Sequence, residues 1–136
     1  MDQPSRPDMD RESAYELLQR GQSLLLRRHH AQAAVVLERA ARAEPDKGSI
    51  LEALGRACFN SGQPARSREV FERLIEVDPS SAFAHYGLGL SLKRLGLRDG
   101  ARTHLRLAVA LDPDSTLYRG ALARLGSGGS GPPPRT

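Results

Sequence analysis

The chain repeats itself every 34 residues, and no other feature of the sequence restricts its fold as strongly. Gly21, Gly55 and Gly89 fall one period apart, as do Pro45, Pro79 and Pro113. The small residues Ala33, Ser67 and Ala101 keep the same register. So do three apolar columns: Leu24, Cys58 and Leu92; Leu37, Phe71 and Leu105; Ala40, Leu74 and Ala108. A period of roughly 20–50 residues marks an array of stacked supersecondary units. Three units follow, at 14–47, 48–81 and 82–115.

Each unit reads as two helices. In the second, "SILEALGRACFNSG" puts Ile50, Leu51, Leu54 and Cys58 on one stripe at helical spacing. Gly62 then stops the helix, and Pro64 sits where a first helical turn accepts it. Val70, Phe71, Leu74 and Ile75 form the stripe of the partner helix. Asp78 before Pro79 closes it, because the residue before proline is pushed out of the α region. Arg28 stands where the other units have Gly62 and Gly96, so the first turn is expected to be less sharply defined. A glycine inside a helix costs about 0.5–1 kcal/mol against alanine. The in-register glycines therefore need a packing cause, expected to be close approach to Ala33, Ser67 and Ala101. A nucleotide loop does not fit. No strand precedes Gly87, and Gly87, Gly89 and Gly96 do not form G-x-G-x-x-G.

The pattern resembles the tetratricopeptide repeat, whose signature is an early Leu-Gly, a small residue opening the second helix, an aromatic or Leu further on, then Ala and Pro. "EALGRACFNSG" and "YGLGLSLKRLG" carry it. Unit 1 departs at Arg20, in the Leu54/Leu88 column, and unit 3 departs at His85, in the Leu17/Leu51 column. The resemblance covers residues 11–125 and implies an all-α solenoid of three helix-turn-helix units. "STLYRGALARLG" adds a capping helix over 116–125, with Ser115 as its cap and Gly126 as its stop. Residues 1–10 and the Gly/Ser/Pro-rich 126–136 are expected to be loose, since neither buries apolar surface.

Composition agrees with packed helices: 39% of residues are apolar, but only 4% aromatic, with no Trp. Strand-forming residues are correspondingly scarce. One cysteine excludes an internal disulfide, and no apolar run approaches the roughly 20 residues of a membrane span. The expectation is a soluble, cytoplasmic protein without a cofactor. Residues 1–81 hold 12 basic and 13 acidic side chains, whereas 82–136 hold 8 and 3. The cationic C-terminal third suggests an anionic partner.

Catalytic patterns are missing. His29-His30 is a weak metal motif in a turn, with His85 and His104 far off in unit 3. Cys58 lies on an apolar stripe and reads as an inert buried thiol. Arg98, Arg102 and Arg106 make a basic stripe but lack interleaved aromatics, which argues against nucleic acid as a partner. In the tetratricopeptide family the first helices line a concave groove. The resemblance places Tyr15, Leu18, Gln22 and Leu25 there from unit 1. It adds Ser49, Glu52, Arg56, Phe59 and Asn60 from unit 2, and Phe83, Tyr86, Leu90, Lys93 and Arg94 from unit 3. The family's carboxylate-gripping set of Lys, Asn and Arg is absent, since those columns hold Leu18, Gln22, Ala53, Phe83 and Gly87. The resemblance thus implies an adaptor, scaffold or co-chaperone that takes a protein segment of apolar and acidic character. A nucleic-acid-associated protein and a secretion-type chaperone are the alternatives, and the exposed ends of a short solenoid also allow a homo-oligomer.

Overall fold

The computed structural model describes residues 12–129. The 1–10 segment and the tail beyond Gly129 lie outside the described residues. Seven helices succeed one another: α1 (Ala14–Leu26), α2 (His30–Ala43), α3 (Gly48–Asn60), α4 (Pro64–Val77), α5 (Ala82–Arg94), α6 (Arg98–Leu111) and α7 (Thr116–Gly129). Among the described residues there is no strand. The helices pair as α1/α2, α3/α4 and α5/α6, each pair packs on the next, and α7 packs on α6.

Local chemistry sets the helix starts. The Ser13 hydroxyl accepts from the Glu16 N–H at 3.1 Å, and the Glu16 carboxylate accepts from the Ser13 N–H at 2.9 Å, closing a capping box on α1. Ser81 caps α5 through the Ala84 N–H, and Ser115 caps α7 through the Tyr118 N–H. Pro64 occupies the first turn of α4.

The three intra-unit turns are built alike, contrary to the expectation for unit 1. In each, two N–H groups reach back to the end of the first helix: Arg28 to the Leu25 carbonyl and His29 to Leu24, Gly62 to Phe59 and Gln63 to Cys58, Gly96 to Lys93 and Leu97 to Leu92. This paired closure needs a left-handed residue. Gly62 and Gly96 adopt φ +82° and +84°, and Arg28 follows at φ +65°. The hydrogen bonds of the turn override the side chain's preference.

The in-register glycines also pack differently from expectation. They make room first for the large residue of the second helix, and at Gly89 also for the small one, where an added methyl would lie 3.2 Å from the Ala101 carbonyl oxygen. A methyl group built on Gly55 would lie 2.5 Å from the Phe71 ring, and one on Gly89 would lie 2.8 Å from Leu105. Gly21 meets Leu37 in the same way. Phe71 is confined twice, because a methyl on Gly87 of the following unit would strike the same ring. Ala33, Ser67 and Ala101 are themselves fully buried.

One buried apolar cluster runs from Ala14 to Leu125 without a break between units. Polar links reinforce the unit boundary between α2 and α4. The Arg66 guanidinium donates to both Glu38 oxygens at 2.7 and 2.8 Å, and Arg73 pairs with Asp46. Arg66 holds the Glu38 carboxyl below the usual carboxylate range. Buried Ser67 and Ser91 bring their hydroxyls to 2.6 Å across the next boundary. Ala121 and Leu125 seat α7 on the cluster. Gly126 does not stop α7, which is described as far as Gly129. No helix of the described residues is long and apolar enough to cross a membrane.

Candidate functional site

The first helices contact each other as well as their own partners: α1 meets α3, and α3 meets α5. Where α3 faces α5 the surface forms a hollow of about 220 Å³. α3 contributes Arg56, Phe59 and Asn60, α5 contributes Phe83, Tyr86, Gly87 and Leu90, and Phe71 of α4 closes the floor. A second recess continues from it, bounded by Phe59, Tyr86, Leu90, Lys93, Arg94 and Arg124.

Aromatic rings dominate this surface. Phe71 meets Phe83 edge-on at 5.8 Å between ring centres, and Phe83 meets Tyr86 at 6.1 Å. Tyr86 in turn meets Tyr118 of α7 at 4.9 Å. Burial raises both phenols above their ordinary value, so they are neutral donors at physiological pH. The chain has only three Phe and three Tyr. Five of the six, all but Tyr15, belong to this row or to its edge at Phe59. The Arg94 guanidinium lies 4.6 Å above the Phe59 ring. Such stacking holds the cation at the recess and leaves its N–H groups to the solvent side. Arg56, Lys93 and Arg124 are also exposed. Four cations therefore surround the aromatic row, with Glu52 as an acidic neighbour close enough to act on Tyr118.

Not all the expected groove residues gather here. Tyr15 and Gln22 are exposed on α1, away from the hollow. Tyr15 accepts a hydrogen bond from Gln19. Leu18 and Leu25 are 8% and 7% exposed and belong to the buried cluster, which corrects their placement on an open surface. A first helix that packs against the next first helix buries whatever apolar residues lie on that flank. Tyr118 and Arg124 join this surface although the groove expected from the sequence does not include them. The signal for Arg124 was present: it stands one period after Leu90, in the column of Gln22 and Arg56.

The other candidates resolve as follows. Arg98 donates to the Leu125 carbonyl and fastens α7, and Arg102 lies 3.5 Å from Asp99, so the arginine stripe is not a row of free cations. Cys58 is buried, and burial pushes its thiol up to about 11, well above the range of a nucleophilic thiolate. No three His, Cys, Asp or Glu among the described residues converge as metal ligands. His85 and His104, which the sequence reading did not pair, touch one another.

Two tetratricopeptide repeat profiles match the chain, over residues 24–86 and 59–116. The chain belongs to the tetratricopeptide repeat family. Its three helix pairs and terminal helix are the repeats and their cap. Cellulose synthase operon protein C of Komagataeibacter xylinus is 31% identical over 85 residues, which is 62% of this chain and 6% of that protein. The chain thus spans a small fraction of that curated relative's length. Among solved structures, YrrB, a tetratricopeptide protein with an unusual peptide-binding site, superposes with a TM-score of 0.78 at 23% identity, covering 82% of this chain and 58% of that one. The first tetratricopeptide domain of Spaghetti (RPAP3), bound to the HSP90 peptide SRMEEVD, gives 0.79 at 15% identity, with 85% and 91% covered. The Sgt2 domain of Aspergillus fumigatus gives 0.77 at 21%, with 88% and 85% covered. At these identities the likeness is one of fold.

Proposed function

We propose that this tetratricopeptide chain is a protein-interaction module whose α3–α5–α7 surface captures a segment of a partner protein. The observation that carries the reading is one aromatic surface: four of the six Phe and Tyr residues line the hollow beside Arg56, Tyr118 packs on Tyr86, and Lys93, Arg94 and Arg124 bound the adjoining recess. Aromatic and arginine side chains are the usual anchors of protein interfaces. A hollow of about 220 Å³ takes one or two apolar side chains of a bound segment. The surrounding cations favour acidic residues beside that anchor, and they speed encounter with an acidic partner. The finer role is that of an adaptor, scaffold or co-chaperone in a reducing, cytoplasmic setting.

The test is selection from a displayed random-peptide library on the purified domain, followed by fluorescence anisotropy on the selected sequences. The expected winners combine an aliphatic or aromatic residue with Asp or Glu. Phe59→Ala should weaken their binding about 30-fold, the loss of one interface anchor of about 2 kcal/mol. Arg56→Glu should slow association and reduce its salt dependence. Tyr15→Ala and Gln22→Ala should leave affinity unchanged. A Phe59→Ala/Arg56→Glu variant that remains folded and binds as tightly as wild type would refute the site.

A further inference from the structure

Unit 3 carries a polar contact at a pair of columns that hold buried apolar residues in the other two units. Leu17 and Val36 occupy one pair of columns in unit 1, and Leu51 and Val70 occupy the same columns in unit 2. In unit 3 both positions are histidine: His85 on α5 and His104 on α6. His85 is 7% exposed, and His104 is partly buried against it. Their Nδ1 atoms lie 3.1 Å apart. The ring planes differ by only 15° and the ring centres are 5.3 Å apart, as expected of two imidazoles meeting head-on through one N–H···N bond.

Counting protons shows what this contact tolerates. The second nitrogen of His85, Nε2, lies 3.2 Å from the Pro79 carbonyl. A carbonyl only accepts, so His85 Nε2 carries a proton and donates it. In the neutral pair His85 Nδ1 is therefore an acceptor, and His104 Nδ1–H donates to it. One added proton is accommodated by reversing that bond: His85 then donates from both nitrogens, and His104 accepts at Nδ1. A second added proton has no such arrangement. It sets two N–H groups and two positive charges against each other at 3.1 Å. The charged group that acts on the pair from α4 is Glu72, which favours a proton on His104. Its carboxylate is already engaged by Arg68 at 3.1 Å. Burial first, and then His85, hold His104 below the usual histidine range in spite of Glu72.

We propose that the His85–His104 pair is a proton-sensitive lock between α5 and α6, which admits one proton and releases unit 3 when acidification forces a second. The sign follows from linkage. The unfolded chain takes up a proton on each imidazole near the ordinary value of about 6.5, while the folded chain refuses one of the two. Stability is complete above that value and is lost as pH falls below it, by up to tenfold in the folded-to-unfolded ratio per pH unit for the excluded proton. The other two units have no such pair, so the loss is local to α5 and α6. This holds whatever the aromatic hollow binds.

The test restores the columns of the other units with His85→Leu/His104→Val. Urea unfolding of the full chain is followed from pH 8 to pH 5 for both proteins. Between pH 7 and pH 5 the wild-type ratio should fall at least tenfold further than that of the double variant. Hydrogen exchange at pH 5 should show faster opening of α5 and α6 than of α1 and α2. Parallel pH curves for the two proteins would overturn the proposal. Should the double variant not fold, imidazole ¹⁵N titration of the wild type decides. One ring should stay neutral well below pH 6, and both titrating together near 6.5 would overturn it.

Discussion

Gly55→Ala should change the sign of its effect according to what stands at position 71. Inside a helix, alanine is favoured over glycine by about 0.8–1.0 kcal/mol. The added methyl, however, would lie 2.5 Å from the Phe71 ring. That ring cannot retreat freely, because Gly87 of the next unit is its other boundary and Phe83 packs on its edge. Overpacking of this kind costs about 1–3 kcal/mol. With Phe71 present, Gly55→Ala is therefore expected to destabilise by about 1 kcal/mol, propensity included. Phe71→Ala alone should cost about 3–5 kcal/mol. In that background the obstruction is gone, only helix propensity remains, and Gly55→Ala should stabilise by about 1 kcal/mol. The coupling across the cycle is then about 2 kcal/mol, large for a pair that forms no polar bond. Urea denaturation of the four proteins, with matched m-values, measures it. If Phe71→Ala leaves too little folded protein, Phe71→Val provides the second background. An effect of Gly55→Ala that is stabilising in both backgrounds, or equal in both, would refute the idea that the repeated glycine exists to admit the large residue of the second helix.

Three further outcomes follow from the turns and the thiol. A left-handed non-glycine residue costs about 1–2 kcal/mol, and glycine returns about 0.5–1 kcal/mol of that through the freedom of the unfolded chain. Arg28→Gly, at φ +65°, should thus raise stability by about 0.5–1 kcal/mol, seen as a rise of a few degrees in the thermal midpoint. Gly62→Ala and Gly96→Ala should lower it by about 1 kcal/mol through backbone strain alone, since a methyl at either position meets nothing within 4 Å. Cys58, with its thiol pushed up to about 11, should react with a disulfide reagent at pH 8 only as fast as the domain opens. Labelling as fast as that of a free thiol would show that the α3 stripe is not closed.

What the sequence disclosed and what it withheld divide along a physical line. Positions buried within a unit are constrained identically in all three copies, so they recur at 34 residues: Gly55 and Phe71 have counterparts before and after them, and helix pairing could be read directly. The proposed binding surface carries no such demand for sameness, and its columns hold unlike residues: Gln22, Arg56, Leu90 and Arg124 share one. Helical spacing put Phe59, Tyr86 and Arg94 on one surface, and they do line the hollow and its recess, but spacing does not say where one first helix covers another. Leu18 and Leu25 consequently went to the core, while α7, treated only as a cap, supplied Tyr118 and Arg124. The Arg28 turn departs from expectation for a related reason. Glycine preference is a property of one residue, whereas φ +65° at Arg28 is enforced by two hydrogen bonds that bracket it. The histidines follow the same logic in reverse. Each was visible as a departure from its own column, but only the pairing of α5 with α6 shows that the two departures are one contact. In a repeat protein the residues that break the period in pairs are therefore where a unit acquires behaviour of its own, and in this chain that unit is the third.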